Sequence, residues 1–271
     1  MPLKRRQKSG TDLYHVIAKG INKERTFNQS REKTYLKKII KKIQKKYENV
    51  EIYAYCIMSN HIHLILKAEF PELSLFMAAV LAEYANYYNY KHHRNGHVFQ
   101  NRFVSECIET ERYFWNCLRY IHLNPVKARV VKEAARYQYS SMMEYKSEIP
   151  DILHEKAVAF YKKEFGIYSE FEEFHKQRQR ELYIDIPDEV SMQQNEIAFL
   201  IAEDLFKTRN LAKLTQVFEE SEIRKVYLQE LMRTLKISER KAKTIYGIVK
   251  KQVEEQKGTP HSSFWYTVNV N

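Results

Sequence analysis

Glycine and proline are scarce, six of each in 271 residues, which excludes collagen-like and low-complexity architectures. Cysteine is sparser still. Cys56, Cys107 and Cys117 are an odd number with no CxxC spacing, which suits neither a disulfide framework nor a zinc finger. Free thiols fit a reducing cytoplasm. No apolar run is long enough to span a bilayer. The opening Met1-Pro2-Leu3-Lys4-Arg5-Arg6 is basic but lacks the apolar stretch of a secretory signal. A membrane partner is therefore not expected.

Positive charge is what the chain has in excess. The formal net charge is +11, and residues 1–50 alone hold 15 Lys and Arg against 4 Asp and Glu. Such an excess is either a solvated basic face or a surface for a polyanion, of which nucleic acid is the commonest. Length allows one large domain or two ordinary ones.

Periodicity orders the first half. Residues 12–18 read as a strand ending at Gly20. A helix follows from Ser30 as N-cap, with Tyr35, Leu36, Ile39, Ile40 and Ile43 at helical spacing. Residues 50–58 and 61–67 read as two strands hairpinned through Ser59-Asn60. A long helix covers about 73–91, a fourth strand 98–108, and a further helix 110–124, stopping near Pro125. The order β-α-β-β-α-β predicts an α+β, ferredoxin-like split βαβ domain. Its antiparallel sheet carries helices on one face and leaves the other free for a site. No strand is expected beyond about residue 146. The expected organisation is a domain over 1–145, a linker with some helix over 146–192, and an all-helical region over 193–271 with a loose tail from 257.

Three groups of residues could carry chemistry. His61 and His63 alternate on a strand and share a face, so they can chelate one metal ion or simply sit on a half-exposed strand. Tyr113, Cys117, Tyr120 and Asn124 line one helical face. If that helix packs near the histidines, Asn124 can offer its carboxamide oxygen to the same metal, with Tyr120 beside it. Spacing alone fits a structural helix end as well. A tyrosine hydroxyl, with a pKa near 10, can attack a phosphodiester once a cation neutralises the phosphate. For DNA contacts the candidates are Lys37, Lys38, Lys41 and Lys42 on the basic helix, and Arg102. Tyr84, Tyr87, Tyr88 and Tyr90, beside Lys91 and Arg94, could stack on bases or pack inside. Residues 227–251 have the pattern of a helix-turn-helix. Leu228, Leu231, Leu235, Ile237, Ala242, Ile245 and Ile248 would be its core, with Arg240, Lys241 and Lys243 facing a major groove.

Several ordered motifs then point one way. They are Tyr14-His15-Val16 with Lys19-Gly20, then Tyr55-Cys56-Ile57-Met58-Ser59-Asn60-His61-Ile62-His63-Leu64 and Gly96-His97-Val98-Phe99-Gln100-Asn101-Arg102-Phe103. Tyr120-Ile121-His122-Leu123-Asn124-Pro125-Val126-Lys127-Ala128 and Tyr137-Gln138-Tyr139-Ser140-Ser141 follow. Over about 12–145 the chain resembles the HUH single-tyrosine transposases, specifically the insertion-sequence-200-like and REP-associated branches. The resemblance implies Tyr120 as nucleophile, His61 and His63 as ligands of Mg²⁺ or Mn²⁺, and Asn124 as the third ligand. It implies cleavage and rejoining of single-stranded, hairpin-associated DNA in transposition, through a 5′-phosphotyrosine and a free 3′-OH. It implies a prokaryotic cytoplasm, with nucleoid association when bound, and leaves both monomer and homodimer open. The chain departs from the common pattern in Lys19 for arginine, Ser59 for proline and Phe99 for tryptophan. Two competitors are a non-catalytic nucleic-acid-binding regulator on the same scaffold, and a metal-dependent nuclease using water.

Overall fold

The computed structural model describes residues 6–178 and 180–255. They divide between Gln177 and Arg178 into two compact units. The first contains β1 (Leu13–Lys19), α1 (Ser30–Gln44), β2 (Glu51–Ile57), β3 (His61–Lys67), α2 (Phe70–His92) and β4 (Val104–Cys107). It continues with α3 (Glu111–Lys127), α4 (Met142–Ser147), α5 (Glu155–Phe165) and α6 (Tyr168–Lys176). The strands form one antiparallel sheet in the order β2-β3-β1-β4. This is the split βαβ arrangement, an α+β fold.

Alternation along the strands sorts the side chains onto two faces. Register places Tyr14, Val16 and Ala18 beside Leu66, Leu64 and Ile62. These residues are buried, as are Leu36, Ile39 and Ile40 of α1 and Phe76, Met77 and Val80 of α2. The two helices reach this face through Phe70 of α2, whose ring centroid is 6.0 Å from that of Tyr14, and Lys37 of α1, which lies 5.4 Å from the Tyr55 ring centroid.

The opposite face is not free. α3 lies across it, with Phe114 edge-on to Tyr53 at 5.6 Å. Behind α3, Phe160 of α5 stacks within 4.8 Å of Trp115, and Tyr145, Tyr161, Phe165 and Phe171 form an aromatic cluster. Residues 146–177, expected within a linker, are thus largely helices anchored to the sheet, and His154 N donates to Ile52 O at 2.8 Å. Their aromatics bury what α3 alone would leave exposed.

Local differences have identifiable causes. The fourth strand pairs only over Val104–Cys107 because the preceding segment bonds to the end of β1 instead. Ile21 N donates to Val98 O and Gln100 N to Lys19 O, both at 2.9 Å. α3 runs through Pro125 to Lys127, since proline forfeits one helical donor while Ala128 N still reaches Asn124 O at 2.9 Å. The N-cap of α1 is Gln29, in a capping box with Glu32, rather than Ser30.

The second unit holds α7 (Pro187–Thr208), α8 (Gln216–Glu219), α9 (Ser221–Leu235) and α10 (Glu239–Glu255). Its core joins Ala198 and Ile201 of α7, Phe218 of α8, Tyr227 and Leu231 of α9, and Ala242, Ile245, Val249 and Val253 of α10. Ile248, expected in that core, is 41% exposed. It lies off the 242-245-249-253 stripe, which carries the apolar face. No helix among the described residues is long and apolar enough to cross a membrane. The tail expected from 257 lies outside the described residues.

Candidate active site

The site is built on the sheet face beneath α3. The β2–β3 turn closes by Met58 N to His61 O at 2.9 Å, which starts β3 at His61. Two-residue alternation then sets His61 and His63 on one face, ring centroids 4.8 Å apart and nearly perpendicular. Both are buried, at 1% and 0% exposure, not half-exposed. The covering helix is distant in sequence, so strand patterning could not reveal it.

Each imidazole is tied back through Nδ1. His61 Nδ1 lies 2.7 Å from Asn60 Oδ1, and His63 Nδ1 lies 3.0 Å from His15 Nε2. A carboxamide oxygen accepts only, so His61 Nδ1 donates and its lone pair sits on Nε2. Burial, together with the neighbouring Lys19 charge, lowers the His61 pKa to about 3. Burial, reinforced by the other imidazoles, also depresses His63, and it lowers His15 to about 3. Neutral rings with the second nitrogen hydrogen-bonded are what a divalent metal ion requires of imidazole ligands. The donor set therefore fits such an ion.

α3 starts at its N-cap Thr110, whose side chain accepts from Tyr113 N at 3.2 Å. Three turns on, Tyr120 is 1% exposed. Its ring stands edge-on to His63 with centroids 5.9 Å apart, and 6.4 Å from that of His15. Lys127 Nζ lies 5.2 Å from the Tyr120 ring centroid. Asn124 is buried, and its Nδ2 donates to Tyr120 O at 3.3 Å. The structure thus brings His61, His63 and Tyr120 together on one face and holds Asn124 a turn beyond. Tyr113 donates its hydroxyl to Glu106 at 2.6 Å. Glu106 pairs in register with His15. His15, Lys127 and Glu106 carried no assigned role in the sequence reading. Only their register and helical offset from the motif residues could have flagged them.

The basic residues are partly spoken for. Lys37 and Lys41 pair with Asp151, and Lys42 with Glu83 at 3.0 Å. Lys38 and Arg102 are exposed and have no ion pair among the described residues. Tyr84 and Tyr88 are packed inside, while Tyr87 stacks on Tyr35 at 3.7 Å. Tyr90, 87% exposed, is the member of that group open for stacking. In the second unit, α9 and α10 are joined across Lys236–Ser238. Arg240 and Lys241 are exposed on α10, and Lys243 pairs with Glu239 at 2.6 Å.

A buried imidazole pair on a split βαβ sheet, faced by a tyrosine on a crossing helix, makes this face of the α+β domain the candidate site. Residues 11–124 match the family described as Transposase IS200 like. A REP-associated tyrosine transposase bound to a REP hairpin is a similar solved structure. It shares 18% identity at a TM-score of 0.47, covering 57% of this chain and 94% of that one. No curated protein matches the chain.

Proposed function

We propose that the protein cuts and rejoins single-stranded, hairpin-associated DNA in transposition, through a covalent 5′-phosphotyrosine at Tyr120. The observation that carries this reading is the Tyr120 ring standing edge-on to His63, 5.9 Å away on a buried histidine face. His61, His63 and Asn124 would hold Mg²⁺ or Mn²⁺. When bound, the ion neutralises the scissile phosphate. Tyr120 Oη gives up its proton and attacks phosphorus, the P–O3′ bond breaks, and the departing O3′ takes up one proton to become the 3′-OH, leaving the step proton-neutral. The phosphotyrosine keeps the bond energy for rejoining. Lys38, Arg102 and Tyr90, exposed on the surface, would contact backbone and unpaired bases. Arg240 and Lys241 on α10 would read duplex DNA as a helix-turn-helix, in the cytoplasm of a prokaryotic cell.

Tyr120→Phe tests this reading. It removes one hydroxyl and keeps the ring, so hairpin affinity and its salt dependence should match wild type. The protein–DNA adduct and strand cleavage should vanish from a denaturing gel. Continued cutting by the variant would point to a nuclease using water. A wild-type protein that binds but never cuts would point to a regulator.

A further inference from the structure

α3 is held from two sides. Tyr120 faces the sheet, and His122, two residues on, is turned by about 200° at 100° per residue, to the opposite side of the helix. There His122 is fully buried in a chain of hydrogen bonds that no part of the catalytic chemistry uses. His122 Nδ1 lies 3.0 Å from His175 Nε2, His122 Nε2 lies 2.7 Å from Ser141 Oγ, and His175 Nδ1 lies 2.7 Å from Phe171 O.

The acceptor at one end fixes every proton in this chain. A carbonyl cannot donate, so His175 Nδ1 carries a hydrogen and points it at Phe171 O. With one proton per neutral ring, His175 Nε2 is an acceptor and His122 Nδ1–H donates to it. His122 Nε2 is then an acceptor, so the Ser141 hydroxyl donates to His122. Ser141 in turn grips β2: its Oγ accepts from Tyr55 N at 3.0 Å, and its own N donates to Tyr55 O at 3.0 Å. β2 is the strand beside β3, and Cys56 stands opposite His63 in register. One directional path therefore links the strand next to the metal-site histidines with the helix carrying Tyr120, and ends on α6. Its far end, His175, lies outside residues 11–124 and outside every motif of the resemblance.

We propose that His122 and His175 are positioning residues: they set the roll of α3 about its axis and so the direction of the Tyr120 hydroxyl relative to His61 and His63. The inference rests on the function proposed above and deepens it. A helix can slide or roll within an aromatic cluster at little cost, because dispersion contacts are non-directional. Hydrogen bonds to a ring locked between two other elements are directional and remove that freedom. A roll of a few degrees moves the end of a tyrosine side chain by a sizeable part of an ångström, enough to matter for in-line attack.

The test uses the full-length protein with His175→Leu, which removes the acceptor, and His175→Gln, whose carboxamide oxygen can take the His122 Nδ1–H. Single-turnover adduct formation is measured with hairpin DNA and Mn²⁺, alongside hairpin affinity. Adduct formation should slow about 10- to 100-fold in His175→Leu, with affinity unchanged, and His175→Gln should recover most of the rate. Equal rates in wild type and His175→Leu would overturn the inference. So would equal slowing in both variants, which marks a purely structural loss. A second measurement does not depend on activity. Tyr120 carrying a ring fluorine should shift its ¹⁹F resonance in His175→Leu and return towards the wild-type position in His175→Gln. An unmoved resonance overturns the positioning role. A wild-type protein that forms no adduct overturns the proposed function instead, and the ¹⁹F measurement still decides this inference.

Discussion

His15 on β1 places its Nε2 3.0 Å from Nδ1 of His63 on β3. A metal ion bound at His63 Nε2 needs that nitrogen's lone pair, so Nδ1 must carry the proton and donate to His15. His15 is thereby fixed as the Nδ1–H tautomer and raises the basicity of His63. His15→Leu should weaken Mn²⁺ binding about 10- to 100-fold, as loss of such an outer partner generally does. Titration calorimetry with Mn²⁺ reads this directly, and an unchanged affinity would remove His15 from the site.

Complete burial changes what truncation at the site does. His63→Ala leaves the buried His15 Nε2 without its hydrogen-bond partner, which costs about 1–3 kcal/mol. Denaturant melts should show that loss together with loss of cutting. Gly20 is a second sensitive point. A Cβ there would come within 2.8 Å of Glu24 O and 2.9 Å of Thr26 Cγ2, and Gly20 N donates to Asn60 O at 2.8 Å beside His61. Gly20→Ala should cost about 1–3 kcal/mol through this overpacking; a melt equal to wild type would mean the turn relaxes freely.

Stability should fall with acid in a defined window. Burial holds His175 down to about 4, with the nearby Arg119 charge acting in the same direction, while the hydrogen bond to Phe171 O opposes them. Burial, with His175 beside it, depresses His122 further. The unfolded chain takes up protons below about pH 6.5 that the folded chain refuses. Stability from this pair is complete above pH 6.5 and is lost progressively towards pH 4. The loss is on the order of 1–3 kcal/mol. Thermal melts between pH 7 and 4.5 should slope accordingly, less steeply in His175→Gln. A flat profile would contradict the buried neutral pair.

Shortening the chain separates the contributions of α5 and α6 from those of the second unit. A chain ending at Tyr145 loses Tyr161, Phe171 and His175, all buried in the first unit, and should fail to fold. A chain ending at Gln177 keeps that core and should still form the adduct, with weaker DNA binding. Equal behaviour of the two would show that α5 and α6 are dispensable.

β1, β2 and β3 could be read within a residue or two because their apolar alternation is uninterrupted and each ends at Gly20, Ser59-Asn60 or a change of period. The His61–His63 pair and the Tyr120 helix were legible for the same reason, as spacing. Their burial was not, since α3 crosses the histidine face and α5 and α6 pack around α3 from far along the chain. Val98–Phe103 read as strand because its side chains suit one, yet its backbone groups bond to β1 and Ile21. The 146–177 segment hid its helices behind scattered aromatics and charges whose periodicity only a tertiary partner completes.

The segment Tyr137–Ser141 has an effect beyond holding His122. Along the outer side of β2, Tyr55 N and O are taken by Ser141, Ile57 N by Tyr139 O, Ile57 O by the Tyr137 hydroxyl, and Tyr53 O by the Tyr145 hydroxyl. A neighbouring molecule finds no open ladder on that side. β4, the other rim, offers four residues and a carboxylate, a poor template for strand addition. Self-association through a continuous intermolecular sheet, the usual hazard of an open four-stranded layer, is therefore blocked at one rim and disfavoured at the other. Any pairing of copies is thereby steered away from the sheet rims and towards the helices.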